Sequence, residues 1–509
     1  MKNIFKLLPI FILGAVISSC SSDWLDVYPS DGIPSGSAVN NYNDATVALT
    51  GVYDALQGSS STTVTGPSYY GARMIYYGDV KADDMQARFT TARTGPSYVM
   101  NNDVTTNLEI WKVPYVLIRR ANSLILALDE NKVKDATEAD VADMKGQALT
   151  MRALAHFDLL RVYSKFYTKN ANKEYGIPIM LKPVDYSYVA GRNTVEEVYN
   201  QVIADLTEAI KLLREKRDKD NGKDFMGSGY INRWAAKALL ARVYLYKGDN
   251  DNAYKTALDV INNSGYPLWS TDEYQKVWAK QGTSEVLFEI VNYDTDDWVD
   301  RESIGYLYSE DGYEDAVMTK AFVDFVQTKY KDDVRQSVMI RTTLSDDKAL
   351  KDKPWGINKV YINKYPGREG LNDIRVNNIA ILRLSETYLI AAEAAAKRGD
   401  NANAAKYLNS IVLRGNPSAK AVTPAEATVD RILEENRIEF VGEGHRFFDL
   451  IRNNKRIVRY TGEADRGWHL PLSAESRSFD ETYFRVLLPI PFDEIKANPA
   501  IKDQQNPGY

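Results

Sequence analysis

The sequence predicts a mainly α-helical protein in which paired helices form a scaffold and irregular loops carry the ligand. Three observations lead there. Apolar residues recur at steps of three and four, one helix–turn–helix segment occurs twice, and the long stretches between are rich in Tyr, Trp, Asp and Gly. A few short strands are expected in those stretches, for example over residues 286–291.

The periodic stretches justify the scaffold. Val195, Val198, Tyr199, Val202, Leu206, Ala209 and Leu213 put one apolar face on a helix, and Thr194 followed by Glu197 supplies a capping box at its start. A second helix is expected over residues 231–247, where Ala235, Ala238 and Ala241 permit close packing. Gly248 and Asp249 then turn the chain into a third helix. The run LYKGDNDNAYKTALDVI from Leu245 is echoed by AAKRGDNANAAKYLNSIV from Ala395, with Gly248 and Gly399 in equivalent places. Glycine takes the left-handed conformation that ends a helix, and the following Asp caps the next one. Ala253 and Ala404 let the paired helices approach. These features resemble tetratricopeptide repeats, helix pairs of about 34 residues. Repeat-like helices are expected at 141–163, 194–263 and 380–413, with irregular insertions at 57–108 and 266–379. Because the two clear copies lie far apart in sequence, an uninterrupted array is not expected.

The first residues read as an export signal. Lys2 and Lys6 precede an apolar run over residues 7–17, too short for a membrane span of roughly twenty residues. Cys20, the sole cysteine, cannot form an internal disulfide. The Ile17-Ser18-Ser19-Cys20 sequence resembles a lipoprotein signal-peptidase site, which implies a lipidated Cys20. The expected layout is a signal peptide at 1–19, a lipidated spacer at 20–40 and a single domain at 41–509.

Composition narrows the chemistry. A net charge of −6 without a basic cluster argues against nucleic acid as ligand. Three histidines, His156, His445 and His469, leave little material for metal sites or Ser-His-Asp catalysis. Asp294, Asp296 and Asp297 begin like a calcium loop, but Val299 and Gly305 stand where that loop needs Gly and Glu. Acidic residues number 69, so carboxylate pairs suited to a glycosidase are unavoidable and their abundance says nothing. No catalytic residue, metal or cofactor is expected.

Several motifs then occur in a shared order: Trp111 with Tyr115, Ile118 and Asn122; GQALTMRALAHFDLLRVY from Gly146; ALLARVYLYKGD; LRLSETYLIAAEAAAKRGD from Leu382; ILEENRIEFVGEGHRFFDLIR from Ile432; and LPIPFDEIKANPAIKDQQNPGY. Together with Cys20 they resemble the SusD/RagB family of outer-membrane nutrient-binding lipoproteins over nearly the whole chain. The resemblance implies a SusD-like fold, a lipid-anchored and surface-exposed location, and a SusC-like TonB-dependent transporter as partner. It implies glycan capture as the function. Peptide binding of the RagB type is the alternative, and a glycan-cleaving enzyme a lesser one.

A glycan site needs aromatic planes beside short polar groups that donate and accept in pairs. In the first insertion the candidates are Tyr69, Tyr70, Arg73, Asp79, Asp83, Arg88, Tyr98 and Asn101. In the second they are Trp298, Tyr306 and Tyr308, with Asp296, Arg301 and Tyr313 near them. Arg152, Arg437 and Arg446 alternate with apolar residues and with Glu439, Glu443 and Asp449, and read as structural ion pairs and helix caps. His156 reads as a core histidine.

Overall fold

The computed structural model describes residues 39–57, 69–105, 108, 110–167, 171–185, 187–216, 227–295, 301–341 and 360–509. Cys20, Asp296, Asp297 and Trp298 lie outside them. The helices are α1 (Tyr42–Gln57), α2 (Arg73–Val80), α3 (Gly95–Val99), α4 (Lys112–Asp129), α5 (Glu138–Tyr163), α6 (Val195–Leu212), α7 (Arg233–Lys247), α8 (Asn250–Asn263), α9 (Ile304–Tyr308) and α10 (Lys320–Lys329). They continue with α11 (Leu384–Lys397), α12 (Asn401–Gly415), α13 (Val429–Glu439), α14 (Arg446–Arg452), α15 (Ala474–Arg477) and α16 (Phe492–Ala497). Four antiparallel two-stranded ribbons complete the described fold: β1 (Met85–Ala87) with β3 (Ala316–Met318), β2 (Val286–Ile290) with β6 (Ile379–Arg383), β4 (Met339–Arg341) with β5 (Val360–Ile362), and β7 (Ile457–Val458) with β8 (Ser478–Phe479).

The helices α1, α4, α5, α6, α7, α8, α11 and α12 stack as a row of neighbours, with α13 closing the end. Helix α5 shows why the row holds. From Met144 to Tyr163 nearly every residue is buried, so it is not amphipathic but sandwiched, with α4 on one side and α6 on the other. Its polar residues are satisfied inside the stack. Arg152 forks onto Asp205 at 2.7 and 2.8 Å and reaches the Asn122 side-chain Oδ1 at 2.8 Å. His156 Nδ1 lies 3.0 Å from the Arg152 carbonyl, and Nε2 accepts the Met180 N–H at 3.2 Å. Burial and the Arg152 charge push this histidine down to about 3, so it stays neutral.

The two repeat hairpins are built as their sequences dictate. The capping box at Thr194 and Glu197 is formed. Gly248 and Gly399 adopt φ of 78° and 77°, and Asp249 and Asp400 each accept an N–H three residues on. Ala253 and Ala404 are fully buried. In space the hairpins adjoin, because α8 packs directly on α11. The array interrupted in sequence is therefore continuous in structure. Strands β2 and β6 explain how: they stand at the two ends of the long insertion and pair, so the chain leaves and rejoins the stack at one place.

A buried charge network fastens the insertion to the stack. Glu439 on α13 sits among Arg335, Arg383 and Arg414 at 3.1, 3.0 and 2.5 Å, and Glu443 binds Lys364 and Arg383 at 2.6 and 2.8 Å. Burial raises the Glu439 carboxyl, but the Arg414, Arg383 and Arg335 guanidinium groups outweigh it and hold the carboxyl well below the usual range.

Candidate ligand-binding site

Two loops meet because β1 and β3 pair, Met85 against Met318 and Ala87 against Ala316. The stitching continues beyond the strands. Arg88 N–H donates to the Asp315 carbonyl at 3.1 Å, the Thr94 hydroxyl donates to the same carbonyl at 2.7 Å, and Arg93 N–H donates to the Asp315 carboxylate at 3.1 Å. Ser303 caps α9, and Tyr313 N–H then donates to the Tyr306 carbonyl at 2.9 Å. Gly312 makes that return possible, since a Cβ there would lie 2.0 Å from the Tyr306 carbonyl oxygen.

The side chains that result form a surface of rings and guanidinium planes. Tyr306 and Tyr313 meet edge to face with centroids 5.0 Å apart. The Arg93 guanidinium lies 4.2 Å from the Tyr313 ring centre and is held by Glu302 at 2.5 Å. Arg88 lies 4.8 Å from the Phe89 ring and pairs with Glu314. Phe89 is 38% exposed, and both tyrosines are half-buried. Beneath them Tyr76 is buried, which pushes its hydroxyl up to about 12; Arg73 opposes the shift while Glu302 and Asp315 reinforce it. Arg73 lies one turn from Tyr76 on α2, and its Nη1 is buried without a hydrogen-bond partner among the described residues. Flat apolar faces beside fixed multi-point donors and acceptors suit a ligand that offers C–H faces and hydroxyls.

Of the residues that the sequence nominates, Tyr306 and Tyr313 belong to this cluster with Arg88 beside them, and Arg73 stands on α2. Asn101 is exposed just beyond α3, whose last carbonyls accept from Arg459 and Ser476. Six others, five of them in the core, serve the fold, and their expected ligand role is corrected here. Tyr69 is fully buried and donates to Asp158 at 2.6 Å, with Tyr70 packed on its ring at 4.8 Å. Tyr98 is fully buried with its hydroxyl 2.8 Å from His469 Nδ1. Tyr308 donates to Asp79 at 2.8 Å, and Asp79 also accepts Gly444 N–H at 2.9 Å. Asp83 is half-buried and gripped by Arg446 at 2.8 and 3.0 Å. Burial raises the Asp83 carboxyl, and Arg446 and Arg437 more than reverse this. Arg446 and Arg437 are structural as expected, although their partners are Asp83 and Asp84.

Sequence reasoning missed Phe89, Arg93 and Glu302. The signal available was weak: Arg88, Phe89 and Arg93 alternate charge and aromatic character directly after a strand. A cleft of about 520 Å³ lies elsewhere, between the start of α4 and α16. Its walls serve the tail, since Trp111 Nε1 donates to Glu494 at 3.1 Å and Phe492 N–H to the Val104 carbonyl at 2.9 Å. Among the described residues no cluster of His, Cys, Asp and Glu is placed to hold a metal ion, and no helix is long and apolar enough to cross a membrane.

Residues 218–509 match the SusD family, and residues 23–245 match a SusD-like family described as starch-binding and associating with the outer membrane. The chain belongs to the SusD family. A SusD superfamily protein from Bacteroides thetaiotaomicron is 36% identical, with a TM-score of 0.83 over 92% of this chain and 100% of that one. A Bacteroides vulgatus protein, described provisionally as sugar-binding, is 37% identical with a TM-score of 0.80 over 93% and 100%. SusD-like protein P38 of Formosa agariphila is 24% identical over 90% of this chain and 92% of its own.

Proposed function

We propose that the protein captures oligosaccharides at the Tyr306, Tyr313 and Arg93 surface and delivers them to a SusC-like TonB-dependent transporter. In this reading residues 1–19 are removed, lipid on Cys20 holds the protein on the outer membrane, and the ligand surface faces the medium. The single observation that carries it is the pairing of accessible aromatic faces with arginines already fixed by carboxylates, which presents stacking planes and donors without further ordering. The starch-binding description of the matching family and the provisional sugar-binding description of the Bacteroides vulgatus relative support it. Trp298, outside the described residues, is a further candidate on the same insertion. Capture needs no bond cleavage, so it assigns no catalytic residue.

The test is retardation of the full-length protein, in detergent, on native gels containing soluble starch, laminarin, levan, xylan or galactomannan. At least one polymer is expected to retard it without release of reducing ends, and Tyr313→Ala is expected to abolish retardation while leaving the melting temperature in place. Retardation by none of the polymers, or release of reducing ends, would overturn the reading.

A further inference from the structure

A second aromatic pocket lies outside the proposed capture surface. It encloses about 280 Å³ between the end of α1, the turn at Gly229 and strand β2. Tyr53, Tyr230, Phe288 and Tyr293 wall it. Tyr53 and Tyr230 stand edge to face with centroids 5.1 Å apart, and Phe288 packs 6.0 Å from Tyr53. Tyr53 is locked from behind, because its hydroxyl donates to Gln147 at 2.7 Å and accepts Ile231 N–H at 3.0 Å. Tyr293 is 46% exposed and lies at the mouth, with the Arg368 guanidinium 4.4 Å from its ring centre. Arg368 is itself fixed by Gln281 at 2.6 Å and the Asn292 carbonyl at 2.9 Å.

The rim repeats the chemistry of the first surface. Asp54, Gln57 and Gln281 line the pocket and offer carboxylate and carboxamide groups beside the rings. Position matters as much as composition. Asn377 connects the two regions: its carbonyl accepts from Asn292 at 2.7 Å, and its side chain lies against Gly305 in α9. Tyr293 follows Asn292 and Tyr306 follows Gly305, so one residue, Asn377, anchors the two segments that carry these aromatic surfaces.

We infer that the Tyr53, Tyr230 and Tyr293 pocket is a second subsite that holds another stretch of the same glycan chain bound at Tyr306 and Tyr313. The inference rests on the capture reading and adds to it a preference for chain length. A chain that spans both surfaces makes its second contact intramolecularly, so affinity rises once the chain is long enough to reach. Short chains occupy the first surface alone.

The experiment uses oligosaccharides of increasing length, cut from whichever polymer retards the full-length protein, titrated against wild type, Tyr293→Ala, Gln281→Ala and Tyr313→Ala. Wild type is expected to gain about tenfold in affinity across one step in length. Tyr293→Ala and Gln281→Ala are expected to lose that step and keep the affinity for short chains, whereas Tyr313→Ala loses both. Circular dichroism and melting temperature confirm that each variant is folded. A wild type without a length step, variants that retain it, or short-chain affinity that falls in Tyr293→Ala would each overturn the second subsite while leaving capture standing. Failure of every polymer to bind would instead remove capture and this inference together.

Discussion

Asp79 ties α2 to the turn before α14 by accepting from Tyr308 and Gly444, and it does so as a buried carboxylate. Burial pushes its pKa up from 3.8 to about 7 against the opposing hydrogen bonds from Tyr308 and Gly444. Because the folded value exceeds the unfolded one, ionisation opposes folding. Stability from this group is complete below about pH 4, falls as pH rises toward 7, and is constant above. Asp79→Asn can still accept from Gly444 and donate to Tyr308, yet carries no charge. Its melting temperature is expected to match wild type near pH 4 and to exceed it at pH 8, by on the order of a few kcal/mol in stability. A difference independent of pH would contradict this. The tyrosines illustrate what the chain conceals at this scale. Tyr69, Tyr98 and Tyr308 use an apolar ring and one hydroxyl, the same properties that suit Tyr306 to a surface. Which way each ring faces depends on partners distant in sequence, Asp158 for Tyr69 and His469 for Tyr98, and local pattern holds no record of them.

Among elements, the hairpin turns were legible because their requirements are local. A left-handed glycine, an Asp that caps the next helix and a small residue at the crossing all lie within a few positions. Gly399 has φ of 77° and open space where a Cβ would stand, so Gly399→Ala meets only backbone strain, about 1 kcal/mol in denaturant titration. Gly312 faces a different constraint. Any side chain there collides with the Tyr306 carbonyl, so Gly312→Ala is expected to displace Tyr313 and abolish polymer retardation while the repeat stack stays folded. The ribbons were less legible. Strand β2 shows in the apolar run at 286–290, but β1 and β3 have three residues each and exist only because their partner lies across the fold.

Across the whole molecule, cohesion between insertion and stack runs through buried charge. Arg335 comes from the insertion, Arg383 from the end of β6 where the chain rejoins the stack, Arg414 from a repeat hairpin and Glu439 from α13. Removing Glu439 takes one carboxylate from three buried arginines that keep Asp333 and Glu435, Glu285 and Glu443, and Glu285 respectively, so Glu439→Ala is expected to lose roughly 3 kcal/mol, read from the unfolding midpoint in urea. The same network weakens in acid: Glu439 has a lowered pKa, so its contribution is present at neutral pH and is lost as pH falls below the usual glutamate range. The β2 and β6 pair has a consequence beyond architecture. Its two strands bring the ends of a long excursion side by side, and lengthening a loop whose ends already meet adds little entropic cost. Much of the chain between them can therefore change in length and composition without disturbing the stack. Evolution can vary the loops of that stretch between its anchors, Arg335, Lys364 and strand β3, while the rest of the molecule stays as it is.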